Sequence, residues 1–234
     1  MYTTLSIDEA VRTAAIAADA YVGTGAQPGR PPRPLGQIEM VPAGGRIYMQ
    51  DDPAHSLYRM IAGTVCTSLV LQNGHRRVTG FLCEGDYFGS IFSDRYRCAA
   101  EAITDCTLVR YNRRTWRPGH AGDTFQRQIV LDALQSERRT ADEHVLLLGG
   151  VTACAKVAAF LLYLSKRATQ RGETDNPVSI PMTRYDIADF LGTTPESVSR
   201  CLTKLNRSGV IRMDTPDTIT LVDRPTLSDI PRGF

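Results

Sequence analysis

The fold is decided by the stretch PMTRYDIADFLGTTPESVSRCLTKLNRSGVIRMDTPDTITLVD (181–223). Thr183, with Asp186 three residues later, is typical of a helix that begins with a capping box. Gly192 ends that helix in a tight turn, and Thr194 caps a second helix whose first residue is a proline. The stretch therefore predicts two short helices joined by a glycine turn.

The second helix has an apolar face and a polar face. Val198, Leu202 and Leu205 are spaced four and three residues apart, so we expect them to be buried together. The opposite face carries polar and charged side chains: Glu196, Ser199, Arg200, Lys204 and Arg207. A helix, a tight turn and a second helix with such a face place side chains in the major groove of DNA. A helical hairpin that serves packing alone is the alternative.

A hairpin follows the second helix. Ile211 and Met213 alternate with polar residues up to a Pro-Asp turn at 216–217, and Ile219 and Leu221 alternate back. This pattern predicts the wing of a winged helix-turn-helix. Because the helix starts, the turn, the polar face and the wing all agree, we expect this segment to bind double-stranded DNA.

A long helix is predicted upstream, from Thr124 to Leu148, because this segment contains neither glycine nor proline. At 1.5 Å per residue it would be roughly 37 Å long. Its apolar residues form a seam suited to a partner helix, and we expect them to hold a homodimer together: Val130, Leu134, Ala141, Val145 and Leu148. Packing against the chain's own sheet is the alternative, although a small sheet does not cover so long a helix.

The segment from about residue 38 to 118 contains short strand-forming runs broken by turn residues, of which the Asn-Gly pair at 73–74 is the strongest hairpin signal. It predicts a small antiparallel sandwich or barrel. Before it, residues 5–20 predict a short helix and residues 23–36 a Gly/Pro-rich linker. The N-terminus lacks the features of a signal peptide, and no apolar run approaches the ~20 residues of a membrane span. We therefore expect a cytoplasmic protein with no membrane partner.

Several motifs in order along the chain resemble the CRP/FNR superfamily of bacterial regulators. LYRMIAGTV (57–65), NGHRR (73–77) and GDYFG (85–89) are similar to the family's β-roll sensor domain. EHVLLLGG (143–150) and KVAAFLL (156–162) are similar to the end of its dimerisation helix and the start of its DNA-binding domain. The resemblance implies an α+β fold, with an N-terminal β-roll of the cyclic-nucleotide-binding jelly-roll type, a long dimerisation helix and a C-terminal winged helix-turn-helix.

The resemblance also implies a function. Glu196, Ser199 and Arg200 form an E-x-x-S-R pattern similar to the DNA-reading triad of the FNR and FixK branches. It implies a homodimer that binds a TTGA–TCAA type of palindrome, has RNA polymerase as a partner, and activates genes for low-oxygen respiration. The expected DNA-binding residues are Thr183, Thr194, Glu196, Ser199, Arg200, Lys204 and Arg207. The expected domains are 1–36 (N-terminal helix and linker), 37–122 (β-roll), 123–149 (dimerisation helix) and 150–234 (DNA-binding domain).

The β-roll departs from the members of the family that bind an effector. Iron–sulfur members use cysteines near the N-terminus, but here no cysteine precedes Cys66. Cyclic-nucleotide members place a glutamate on the ribose, where this chain has Ser90, and an Arg-Ser pair on the phosphate, of which Arg97 is a partial match. The four histidines show no haem-ligand arrangement. We expect a FixK-like protein with no cofactor and no metal; a regulator whose β-roll binds a cyclic nucleotide or haem is the alternative.

Two further expectations concern reactivity. The sequence has no P-loop, GxSxG or HExxH motif, so we expect no enzymatic activity. Cys201 follows Arg200 on the second helix, and neighbouring cations favour a reactive thiolate, which makes Cys201 a possible redox site. Packing between the helix and the wing is the alternative. Cys66, Cys83, Cys98 and Cys106 are predicted to be small buried hydrophobes.

Overall fold

The computed structural model describes residues 36–113 and 123–230, and these form two compact units. Within the described residues, unit 1 comprises 36–69, 81–113 and 123–139, and unit 2 comprises 70–80 and 140–230. The predicted helix at 5–20 and the linker up to residue 35 lie outside the described residues. No helix of the described part is long and apolar enough to cross a membrane.

The β-roll consists of two four-stranded antiparallel sheets. Their strand orders are β1-β8-β3-β6 and β2-β7-β4-β5. The strands are β1 Gly36–Val41, β2 Arg46–Tyr48, β3 Ser56–Ala62, β4 Val65–Val70, β5 Arg76–Leu82, β6 Tyr87–Gly89, β7 Ala99–Ala102 and β8 Cys106–Asn112. The predicted Asn-Gly turn joins β4 to β5, and its Gly74 has a φ of 81°, which glycine adopts without strain. The prediction of a small antiparallel β-domain is confirmed.

The core of the β-roll is rich in aromatic rings. Tyr48 and Tyr96 stack with ring centroids 3.7 Å apart, and Tyr58 and Phe88 stack at 5.2 Å. All four are buried within one hydrophobic cluster. Burial raises the pKa of Tyr48, Tyr58 and Tyr96, because a tyrosinate would lose its hydration there.

The long helix α1 spans Asp123–Leu148, which confirms the predicted helix within one residue at its start. Ile129 and Ala133 on one of its faces pack against Leu57, Val109 and Tyr111 of the sheet β1-β8-β3-β6. This face of α1 therefore packs against the chain's own sheet, which was the alternative to a seam between two copies of the helix.

The second unit contains a helix-turn-helix and a three-stranded antiparallel sheet of order β10-β11-β9. Its elements are α2 Ala153–Gln170, β9 Val178–Ser179, α3 Arg184–Leu191, α4 Pro195–Arg207, β10 Ile211–Thr215, β11 Thr218–Leu221 and α5 Arg224–Asp229. The predicted Pro-Asp turn joins β10 to β11, so the wing is confirmed. Strand β9, which extends the wing sheet, was not predicted.

Threonine side chains cap the N-termini of α2, α3 and α4. Thr152 Oγ1 accepts from the backbone N–H of Ala155 at 3.1 Å, and Thr194 Oγ1 accepts from Ser197 at 3.2 Å. An N-cap of this kind stabilises a helix by about 1 kcal/mol. Gly192, at the end of α3, has the left-handed φ of 59° that the tight turn requires.

Candidate nucleic-acid interface

Helix α4 is fixed by its apolar face. Val198, Leu202 and Leu205 are buried, as the spacing of four and three residues predicts. At about 1.5–3 kcal/mol for each buried side chain of this size, these contacts hold α4 in place. Because this face is inward, the opposite face of α4 points to solvent.

The outward face of α4 carries the predicted DNA-reading residues. Glu196, Ser199, Arg200, Lys204 and Arg207 are all exposed. Their side chains form no hydrogen bond or ion pair with any residue that the structure describes. They are therefore available for an external partner.

A shallow depression of about 530 Å³ runs along this face. Its lining residues are Ser199, Arg200, Thr203, Lys204, Arg207 and Ser208. Thr203 and Ser208 were not among the predicted site residues. Thr203 follows Ser199 by four residues, so helical spacing was the signal that could have identified it.

Thr183 and Thr194 stand at the starts of α3 and α4. Thr183 Oγ1 accepts from the backbone N–H of Asp186 at 3.1 Å and donates to the carboxylate of Asp186 at 2.6 Å. Thr194 Oγ1 donates to Ser197 Oγ at 3.0 Å. Both threonines are exposed, with their hydroxyls already used in helix caps.

The wing is tied to both helices of the motif. Asn206 Oδ1 of α4 accepts from the backbone N–H of Met213 at 3.0 Å, and Arg184 of α3 donates to the carbonyl oxygen of Pro216 at 2.9 Å. On the wing itself, Thr220 and Arg212 hydrogen-bond the carboxylate of Asp214 and lower its pKa. Sequence reasoning missed Asn206 and Arg184, since neither belongs to a local pattern.

The structure argues against the predicted reactivity of Cys201. Burial, followed by the neighbouring thiol of Cys154, raises the pKa of Cys201 to about 12, although Lys204 and Arg200 act in the opposite direction. Loss of hydration therefore outweighs the nearby cations. Cys201 is buried with the thiol of Cys154 of α2 beside it, which favours a packing role over a redox role, although the neighbour is α2 and not the wing.

Helix α1 presents an exposed apolar stripe. Leu134 is 38% exposed, Val145 68% and Leu148 38%, and Ala141 is exposed between them. Val130 is half-buried, whereas Leu131 is 52% exposed and lies three residues before Leu134. We define the α1 stripe as the residues predicted to hold the homodimer, Val130, Leu134, Ala141, Val145 and Leu148. Leu131 is a further exposed apolar residue beside it.

Of the β-roll residues that depart from effector-binding members of the family, Ser90 is engaged within the roll. Ser90 Oγ donates to the carbonyl oxygen of Ser93 at 2.9 Å and accepts from Arg113 at 3.4 Å. Arg97 is exposed. Cys66 and Cys106 are buried as predicted, whereas Cys83 and Cys98 are only partly so. Across 36–113 and 123–230, no group of three or more His, Cys, Asp or Glu side chains is placed to hold a metal ion.

Two segments of the chain match known domain families. Residues 38–118 match the cyclic nucleotide-binding domain, and residues 155–230 match the Crp-like helix-turn-helix domain. These two segments coincide with the β-roll strands and with most of unit 2.

Similar proteins align with most of the chain. The nitrogen fixation regulation protein FixK of Azorhizobium caulinodans is 36% identical over 204 residues, which cover 86% of this chain and 82% of that protein. The transcriptional activatory protein AadR of Rhodopseudomonas palustris is 34% identical over 177 residues, which cover 76% of this chain and 74% of AadR. The solved structure of FixK2 from Bradyrhizobium japonicum is 31% identical and superposes with a TM-score of 0.73, covering 84% of this chain and 97% of that one. Together with the β-roll, the helix-turn-helix and the wing, these similarities show that the chain belongs to the CRP/FNR superfamily, in its FixK-like branch.

Proposed function

We propose that this protein is a cytoplasmic transcription regulator that binds a TTGA–TCAA type of palindrome as a homodimer through α4. The observation that carries the proposal is the outward face of α4, where Glu196, Ser199 and Arg200 are exposed and without partners among the described residues. A recognition helix with a free polar face beside a wing is built to enter the major groove.

Each residue of this triad has a chemical role in base reading. Arg200 has the fork geometry to donate to O6 and N7 of one guanine, and Glu196 accepts from the amino group of a cytosine. Ser199 hydrogen-bonds an adenine or contacts a thymine methyl group. Lys204 and Arg207, farther along the helix, contact phosphates and carry no sequence information.

The α1 stripe supports the homodimer. Leu134, Val145 and Leu148 expose apolar surface along one face of a 26-residue helix, and the same surface on a second copy would cover it. A symmetric dimer requires two half-sites about one helical turn apart, which gives the palindrome. We place the dimerisation helix at 123–149, after the β-roll, and the DNA-binding domain from residue 150 onward.

The similar proteins support a role in gene activation. FixK regulates nitrogen fixation and AadR is an activatory protein, as their names state. We propose by this similarity that the chain activates low-oxygen or respiratory genes together with RNA polymerase, and that it has no enzymatic activity of its own.

The core of the β-roll supports activity without an effector. Stacked rings, among them Tyr48, Tyr58 and Tyr96, fill the hydrophobic cluster between the strands. Ser90 is engaged with Ser93 and Arg113 instead of presenting a carboxylate to a ribose. We therefore propose that the roll is a structural module that needs no cyclic nucleotide or haem.

Selection from random-sequence duplex DNA tests the proposal. The purified protein should enrich a palindrome with one TTGA half and one TCAA half, and Arg200→Ala should lose the enrichment at the G·C pair of each half. Enrichment of a non-palindromic site, or of no site, would contradict the proposed function.

A further inference from the structure

The C-terminal end of α3, the first helix of the helix-turn-helix, receives side chains from three separate elements. Arg77 of β5 donates to the carbonyl oxygen of Asp189 at 3.3 Å. His144 Nε2 of α1 lies 2.7 Å from the carbonyl oxygen of Phe190, and Lys156 Nζ of α2 donates to that of Leu191 at 3.0 Å. We call Arg77, His144 and Lys156 the α3 clamp.

The α3 clamp provides partners for the backbone carbonyl groups at the C-terminal end of α3. The last carbonyl groups of a helix have no partner within it and carry partial negative charge, so hydrogen-bond donors and cations stabilise them. At this end of α3 the backbone N–H of Thr193 donates to the carbonyl of Ala188, and that of Gly192 donates to the carbonyls of Ala188 and Asp189. The clamp adds a side-chain donor at Asp189 and reaches the next two carbonyls, those of Phe190 and Leu191, with one residue each.

His144 makes a second contact with α3. Its ring stacks on the ring of Phe190 with centroids 4.1 Å apart and planes 9° apart. Phe190 is buried and meets Phe160 of α2 edge to face at 5.9 Å. The imidazole is therefore held by the ring beneath it and by the carbonyl in front of it, which leaves one orientation for α3 against the last turns of α1.

Neighbouring ion pairs strengthen the same links. Glu143 of α1 lies 3.5 Å from the buried guanidinium of Arg167 on α2. On β5, Arg76 pairs with Asp186 at 2.7 Å, and the backbone N–H of Val78 donates to the carboxylate of Asp189 at 2.8 Å. The end of α1, the start of β5 and α2 thus meet around α3.

We propose that the α3 clamp consists of positioning residues that fix α4 relative to the end of α1, and so set the half-site spacing that the dimer accepts. The inference rests on the proposed homodimer through α1. The link between α1 and α2 contains Gly149 and Gly150, so the backbone alone does not fix the angle there. The clamp supplies that constraint, because α4 follows α3 after one tight turn.

The affinity of the dimer for palindromes of altered half-site spacing reports how firmly the clamp holds α3. One inserted base pair turns the second half-site by roughly 35° about the DNA axis and moves it by about 3.4 Å. A rigid dimer then engages only one half-site, and the simultaneous engagement that it loses is worth roughly 100-fold or more in affinity. A dimer in which α3 is held less firmly contacts the displaced half-site as well, so it loses less affinity.

The test measures fluorescence anisotropy with the full chain and three duplexes: a TTGA–TCAA palindrome with its selected spacing, and the same palindrome with one base pair inserted or deleted. The wild type should prefer the selected spacing by about 100-fold. His144→Leu should reduce this ratio to about tenfold or less. His144→Gln keeps an amide donor for the Phe190 carbonyl and should keep the ratio. His55→Leu, at an exposed histidine of the β-roll, is the matched control.

The possible outcomes separate the clamp from other effects. If His144→Leu weakens binding equally at all three spacings, or leaves the ratio intact, the clamp does not set the spacing and the inference is overturned. If His144→Leu does not fold, Lys156→Met, at a half-exposed position, should show the same loss of discrimination, and an unchanged ratio there overturns the inference. If the wild type binds all three duplexes equally, the proposed binding of a palindrome by a homodimer is contradicted. The inference about the clamp, which rests on that proposal, is then contradicted as well.

Discussion

The fully buried carboxylate of Asp86 accepts a hydrogen bond of 2.6 Å from the guanidinium of Arg139 on α1. The same carboxylate accepts from the backbone N–H of Cys83 at 2.9 Å, and Ser136 Oγ donates to it at 3.5 Å. Ser136 in turn accepts from the backbone N–H of Tyr87 at 3.1 Å. The aspartate of the GDYFG motif thus joins its turn of the β-roll to α1.

Arg139→Met should destabilise the protein, because it retains the aliphatic part of the side chain but removes the charged donor from a buried carboxylate. The expected loss is about 1–3 kcal/mol in the free energy of unfolding, since half of the arginine side chain is exposed. Urea unfolding measures it as a lower midpoint with an unchanged slope. Gln135→Met, at an exposed position on the same helix, is the control. Equal midpoints for Arg139→Met and the wild type would show that the pair contributes nothing.

Charged substitutions in the α1 stripe should produce monomers. Leu134→Glu and Ala141→Glu would place carboxylates in an apolar contact between two helices, and a monomer forfeits the contacts of the second half-site. Sedimentation velocity should show half the wild-type mass, and binding to the palindrome should weaken. Gln135→Glu adds the same charge outside the stripe and should remain dimeric. Fully dimeric Leu134→Glu and Ala141→Glu would place the interface elsewhere.

Cys201 should be resistant to oxidation. Its pKa of about 12 leaves little thiolate at neutral pH, so peroxide should leave DNA binding of the wild type and of Cys201→Ala equally unaffected. A loss of binding in the wild type that Cys201→Ala prevents would restore the redox role.

The raised pKa of Cys201 also predicts that the free energy of unfolding depends on pH. The unfolded thiol ionises near pH 9, whereas the folded thiol does so near 12. The contribution of Cys201 is therefore complete below about pH 9 and is lost as the pH rises toward 12. Urea unfolding of the wild type and of Cys201→Ala at pH 7 and pH 10 measures the difference, and the variant should lose less stability than the wild type. Equal losses would contradict the raised pKa.

DNA binding should not depend on a cofactor. Protein purified in air, without visible absorbance and without bound nucleotide, should bind the palindrome with a Kd of roughly 10⁻⁸–10⁻¹¹ M. Added cyclic AMP should leave that Kd unchanged, because the core of the roll is filled by aromatic side chains and Ser90 is engaged within its own loop. Strict dependence on cyclic AMP, or a haem spectrum in the active protein, would favour the ligand-gated alternative.

Local signals made most of the fold predictable. Thr183, Thr194 and Gly192 set helix ends through contacts within three or four residues, so the sequence alone placed α3 and α4. Long-range contacts were not predictable in the same way. His144 and Lys156 reach the end of α3 from positions 46 and 35 residues away along the chain, and no local pattern marks them.

The different exposure of Val130 and Leu131 illustrates the same limit within one helix. Both are apolar neighbours on α1, and either fits a spacing of three or four residues from Leu134. Which one is exposed depends on the side that the β-sheet covers. Cys201 is a second example, because two nearby cations predicted a reactive thiolate while the burial that outweighs them depends on the packing of α4.

The most direct test of the central claim compares Arg200→Ala with Lys204→Ala on two duplexes, the TTGA–TCAA palindrome and one with its G·C pair changed in each half. Arg200→Ala should cost about 1–3 kcal/mol on the palindrome and lose the preference for the G·C pair. Lys204→Ala should weaken binding to both duplexes equally and flatten the salt dependence, because it removes a phosphate contact. If Arg200→Ala still discriminates between the two duplexes as well as the wild type does, Arg200 is not the residue that reads the guanine.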